Sequence, residues 1–236
     1  MSTLLQTVLD AHGGLSRWQQ ATSILATVNI SGGLWAIKGH PEGLRDVRMR
    51  VGTSEPRNEI APFGSGRGDF RPDRVWISGA DGRILQERSN PLASFDGHVR
   101  ATPWDKLHEL YFTGYAFWNY LNTPFILTLP GVEIEEIGSH LENGETWQRL
   151  AVRFPEGFPT HSRDQTFYFN QAGLLQRIDY VTDVAGGVAS HYCFDPVTVS
   201  GLVFPTLRRV VQRTPDGPKI SGPTAVLVLV SDLLVD

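Results

Sequence analysis

The feature that most constrains this chain is the way short strand-like runs are punctuated by turn residues with no helical period between them. From Thr22 onward the runs SILATVNISGG, LWAIKG, LRDVRMRVG, RNEIAPFG, DRVWISG and RILQERS are each bounded by Gly, Pro or an Asp-Gly pair. Asp81-Gly82 between two of them is a two-residue hairpin signal, because both central positions of such a turn favour a positive φ. Parallel strands need long crossovers, usually helical, so strands joined by tight turns predict an antiparallel meander. The second half repeats the pattern, with turns expected at Glu142-Asn143-Gly144 and Ser200-Gly201. At 236 residues and 41% hydrophobic content, the chain has ample apolar material for one buried core, and a single domain over 1–236 is the expectation.

Two segments depart from the strand period. Ser2 is placed to cap a helix whose stripe is Leu4, Leu5, Val8 and Leu9; His12-Gly13-Gly14 ends it before a short second turn, giving helix over about 2–21. In TPWDKLHELYFTGYAFWNYLNTPF, Thr102 reads as the cap, Pro103 as the first helical residue and Pro124 as the stop, giving helix over about 103–122. Trp104, Leu107, Leu110, Tyr111, Tyr115, Trp118 and Leu121 recur there at helical spacing, and the segment is apolar nearly all round. Such a helix is covered on several sides or itself covers a cavity. Its aromatic residues fit a plain core helix and equally the wall of a pocket for an apolar ligand.

The stretch Thr160–Tyr180, THSRDQTFYFNQAGLLQRIDY, reads as a hairpin about Asn170-Gln171-Ala172-Gly173. Register set by that turn pairs Tyr168 with Leu175, Thr166 with Arg177, and Asp164 with Asp179. Opposed carboxylates repel unless a cation, a shared proton or water intervenes. His161, Asp164, Asp179 and His191 are therefore the candidate acid and base groups, with Tyr168, Tyr180 and Tyr192 as partners. The alternative is an exposed lattice in which Arg163 and Arg177 neutralise the carboxylates, with His191 a satisfied core residue.

Composition removes several classes. A formal net charge of −4 with 19% charged residues offers no basic excess, so nucleic acid is not an expected partner. Cys193 is the only cysteine, which excludes an intramolecular disulfide and a cysteine-based zinc site. The histidines show no HxH, HExxH or HxxxH spacing, so no metal is expected; no G-x-S-x-G marks a nucleophile, and no cofactor motif is present. Gly64-Ser65-Gly66-Arg67-Gly68 lacks the Lys-Ser/Thr end of a phosphate loop and reads as a flexible connection able to gate a pocket. No run reaches the roughly 18 apolar residues of a membrane span, and MSTLLQTVLDAHGG lacks the basic start and cleavage site of a signal peptide. A cytoplasmic location is the expectation.

The segments AHGGLSRWQQATSI, FTGYAFWNYL, THSRDQTFYF and FDPVTVSGLVFPTLRR, in the order helix, meander, helical insert, strands, are similar to LolA/LppX-type lipoprotein carriers and their LolA-like relatives. The resemblance implies a mainly β (α+β) antiparallel half-barrel with an N-terminal helix and a central helical insert, and an apolar cavity that accepts acyl chains. On that footing the expected function is binding of a hydrophobic or lipid-like small molecule, with Trp104, Tyr111, Tyr115, Trp118, Tyr168, Tyr180 and Tyr192 as the ligand-facing aromatics. The alternatives are a cofactor-independent enzyme for proton transfer, cyclisation or hydrolysis in the same cavity, with His161 or His191 as base and Asp164 or Asp179 orienting it, and an interaction protein that pairs a strand edge with a partner.

Overall fold

The structure, a computed structural model, describes residues 2–236. Helix α1 (Thr3–Ala11) is capped by the Ser2 hydroxyl, which accepts from the Leu5 amide at 3.1 Å, and buries Leu5, Val8 and Leu9. Gly13 and Gly14 break it before the single turn α2 (Leu15–Trp18). Gly13 has a further reason to lack a side chain, because its α-carbon lies against the Gly201 backbone.

The first meander comprises β1 (Ser23–Ser31), β2 (Leu44–Gly52), β3 (Asn58–Phe63), β4 (Gly66–Arg71), β5 (Arg74–Ser78) and β6 (Ile84–Ser89). Two expectations fail in it. LWAIKG is a strand by its apolar content but forms helix α3 (Gly33–Ile37), in which both Leu34 and Trp35 are buried. The glycine-rich stretch 64–68 is a tight turn followed by β4 and not a flexible gate: Gly66 pairs with Phe63, Gly68 with Ile60, and a Cβ at Gly68 would sit 2.6 Å from Leu110.

After a 3₁₀ turn at Pro91–Phe95 comes α4 (Lys106–Asn122), in which every residue from Leu107 to Asn122 is buried. Its cap is Asp105 and not Thr102. The Asp105 carboxylate accepts from the Leu107 and His108 amides, while the Asp105 amide donates to His108 Nδ1 at 3.2 Å. Thr102 instead accepts from the Val99 amide, closing the loop that precedes the helix. Pro124 follows the last turn, as its missing N–H requires.

The second meander comprises β7 (Glu133–Glu142), β8 (Glu145–Arg153), β9 (Asp164–Phe169), β10 (Leu175–Val181), β11 (Val188–Val199), β12 (Leu202–Thr214), the short β13 (Gly217–Pro218) and β14 (Val226–Val235). All pairings are antiparallel, in the order β6-β5-β4-β3-β2-β1-β14-β12-β11-β10-β9-β8-β7, with β13 on β12. The open, curved sheet wraps α4, which packs chiefly on β2 to β5. No helix among the described residues is long and apolar enough to cross a membrane.

Candidate functional site beneath the central helix

The hairpin of β9 and β10 determines which side chains meet. Its register differs from the expected one by two steps: the turn closes on Asn170 and Leu174, so that Leu175 pairs with Phe169, and Gln176 is then an extra residue on β10, so that Arg177 pairs with Tyr168 and Asp179 with Thr166. Asp164 and Asp179 are therefore not opposed. Asp164 is exposed and meets Arg153 on β8 at 2.7 Å.

Alternation along the strands then separates the candidate residues onto two faces. On the outer face, Asp179 accepts from the Tyr168 hydroxyl at 2.8 Å and from Ser190 at 2.6 Å, and pairs with Arg177 at 3.0 Å and Arg213 at 3.2 Å. Arg177 is buried over the Tyr168 ring, 3.8 Å from its centroid, and also meets Glu142, which accepts from the Tyr192 hydroxyl. Trp147, Tyr168, Tyr192 and Val211 close a small second core around this network. Every carboxylate here is matched by a guanidinium or hydroxyl, so the cluster ties β7 to β12 and leaves no carboxylate unpaired.

The inner face carries His161, Tyr180 and His191. Asn119 on α4 donates to the Pro159 carbonyl at 2.7 Å and the Asp183 amide to the His161 carbonyl at 3.0 Å, which holds the His161 loop against the helix. The ring nitrogens of His161 lie 3.1 Å from the Tyr115 hydroxyl and 2.9 Å from that of Tyr120. A neutral imidazole has one N–H, so one tyrosine donates to it and the other accepts from it. The Tyr180 hydroxyl lies 3.4 Å from His191 Nδ1. Arg208 lies 3.4 Å from His191 Nε2 and donates to the Tyr120 carbonyl at 2.6 Å. Arginine has no acceptor, so Arg208 donates to His191 Nε2, and His191 then donates from Nδ1 to the Tyr180 hydroxyl.

Burial sets the protonation states. It depresses His161 to about 3 and, with the Arg208 charge and His161 nearby, pushes His191 well below its ordinary value. It raises Tyr120 to about 12 and Tyr115 and Tyr180 well above their usual range. All these groups are neutral near pH 7. With both aspartates on the other face, no carboxylate orients either histidine, and the four predicted acid and base residues are not brought together.

The aromatic candidates divide in the same way. Tyr168 and Tyr192 belong to the outer network. Trp118 packs against Phe158, and Trp104 against Trp35, Phe95 and Phe112, as core. Tyr111 lies between Phe70 and Tyr115. Tyr180, with Phe112, Tyr120, His161, Leu34 and Val210, lines a cavity of about 40 Å³ between α4 and the inner face of β10 to β12. That is room for about one or two waters. Arg208 is the inner-face residue that sequence reasoning missed. Its signal was the Arg208-Arg209 doublet in a strand, where alternation forces one arginine inward.

No protein-family model matches this chain. No curated protein matches it. Solved structures do match in fold. A DUF1329 family protein from Desulfovibrio piger superposes with a TM-score of 0.58 at 12% identity, covering 99% of this chain and 92% of that one. A LolA superfamily protein from Nitrosomonas europaea gives 0.55 at 9% identity, covering 100% and 94%. An outer membrane lipoprotein-sorting protein domain from Vibrio parahaemolyticus gives 0.54 at 11% identity, covering 99% and 91%. The chain thus has a LolA-like half-barrel fold, as its segments had implied.

Proposed function

We propose that this chain binds a hydrophobic or lipid-like small molecule in the seam between α4 and the inner face of β10 to β12. The carrying observation is the position of the cavity. The central helix packs closely on the first meander, and the space left over falls on its other side, among Leu34, Phe112, Ala189, Val210 and Val226. Apolar walls with a few neutral hydroxyls are the lining a nonionic chain prefers, and histidines held neutral by burial with no carboxylate to orient them favour binding over acid-base chemistry. At about 40 Å³ the seam admits a chain only if α4 and the second meander part, so ligand entry requires movement of the two loops at its mouth, 96–104 and 182–187.

The test is titration with the uncharged dye Nile red, with mass spectrometry of anything retained after native purification. Binding with a blue-shifted emission is expected, and Ala189→Leu, which fills the seam, should abolish it while the melt stays cooperative. Absence of dye binding together with absence of any co-purified amphiphile would refute the reading.

A further inference from the structure

The mouth of the seam carries a positive charge that the fold leaves unmatched. Arg100 lines it and is exposed, and its single hydrogen bond is a donation to the Gly186 carbonyl at 3.2 Å. The space for its guanidinium depends on Gly187: a Cβ there would stand 2.7 Å from Arg100 Nη1, and the φ of +145° at Gly187 is one that residues with side chains rarely adopt. A second cation lies beneath it. Lys38 is fully buried, and its ammonium donates to the carbonyls of Val99 and Thr102, on either side of Arg100, at 3.3 Å each. Neither cation has a carboxylate partner among the described residues. Burial and the nearby Arg100 charge lower Lys38 to about 8, the response of a cation that lacks a counter-ion.

Resting on the seam being the binding site, we infer that its ligand is a single-chain amphiphile with a carboxylate head, whose chain enters between Phe112 and Val210 while Arg100 takes the head in place of the Gly186 carbonyl. The exchange is favourable because a guanidinium binds an anionic oxygen more strongly than a neutral carbonyl, and with two donors at once. Release of Gly186 removes the contact between loops 96–104 and 182–187 that Arg100 makes, so head-group recognition loosens the mouth while the Asp183 amide still holds the second loop to the His161 carbonyl.

Competition against Nile red separates the inference from the reading beneath it. The competitors are dodecanoate, dodecanol and dodecyltrimethylammonium, on the wild-type chain, Arg100→Gln and Arg100→Lys. The wild type should prefer dodecanoate over dodecanol by about tenfold or more, the size expected of a charge-assisted hydrogen bond, and should bind the cationic amphiphile worst. Arg100→Gln should lose that preference chiefly through weaker dodecanoate binding, and Arg100→Lys should keep part of it. Equal affinity of the wild type for acid and alcohol would overturn the inference and leave the apolar site standing. A preference that survives in Arg100→Gln would also overturn it. Failure of every competitor to displace the dye would remove both.

Discussion

Tyr180 lies flat against His161, with ring centroids 4.3 Å apart and planes 9° from parallel. The stack seals one side of an imidazole already held by Tyr115 and Tyr120, which is why burial takes it down to about 3. In the unfolded chain the same group titrates near 6.5. The unfolded state therefore binds the extra proton between these values, and stability is full above pH 6.5 and lost as pH falls toward 3. The slope is about 1.4 kcal/mol per pH unit for each such histidine, and His191 adds to it in the same direction. Denaturant melts from pH 7.5 to 4.5 should show this loss, and His161→Gln should have a shallower slope. An identical slope in the variant would mean that His161 is protonated in the folded chain.

The two aspartates of the hairpin should respond unequally to substitution. Asp179→Ala removes the partner of a buried Arg177 and the acceptor for Tyr168 and Ser190, and should cost about 3 to 5 kcal/mol. Asp164→Asn breaks an exposed pair with Arg153 and should stay within about 1 kcal/mol of the wild type. Comparable losses in urea melts of the two variants would contradict the placing of Asp179 in a buried network and of Asp164 in an exposed pair.

Gly114 is a helix-interior glycine that propensity alone would replace. Gly114→Ala gains roughly 1 kcal/mol of helix propensity, yet the new Cβ would stand 2.7 Å or less from the Phe70 side chain on β4. Overpacking costs about 1 to 3 kcal/mol, so a net destabilisation is expected. A raised melting temperature would show that α4 and β4 can separate at this point without loss.

Trp118 sits in the core against Phe158 and away from the cavity lining. Trp118→Ala should therefore cost about 3 to 5 kcal/mol while the remaining folded fraction binds Nile red with unchanged affinity. Loss of dye binding at full stability would relocate the binding site to the other side of α4.

Much of the fold is legible where backbone conformation dictates residue type. Gly82, Asn143, Gly144, Ser200 and Gly201 all adopt positive φ at the hairpins their sequences announce. The long helix shows in its period and in Pro124. What escapes reading depends on single residues whose effect is nonlocal. Gln176 bulges out of β10 and changes the partner of every residue after it, and no turn residue signals this. LWAIK has no cap and is helical only because a core awaits Leu34 and Trp35. For the site, His161, Tyr115, Tyr180 and His191 were readable as polar residues in apolar surroundings. That Asp179 faces away from Tyr180 follows from strand alternation; that it pairs with Thr166 and not with Asp164 follows from the observed register and was not readable.

The strand β14 lies between β1 and β12, in the middle of the sheet and not at its rim. The two meanders are each built from neighbours in sequence, but they touch one another along the sheet only through residues 226–235. Removing those residues would not trim the fold; it would divide it along its midline. In sequential synthesis α4 and the whole of its aromatic surface leave the ribosome before the strand that joins the walls around it exists. The half-formed chain thus has β2 to β5 to cover one side of α4 but nothing for the other until the second meander is made, the kind of transient apolar exposure that invites aggregation.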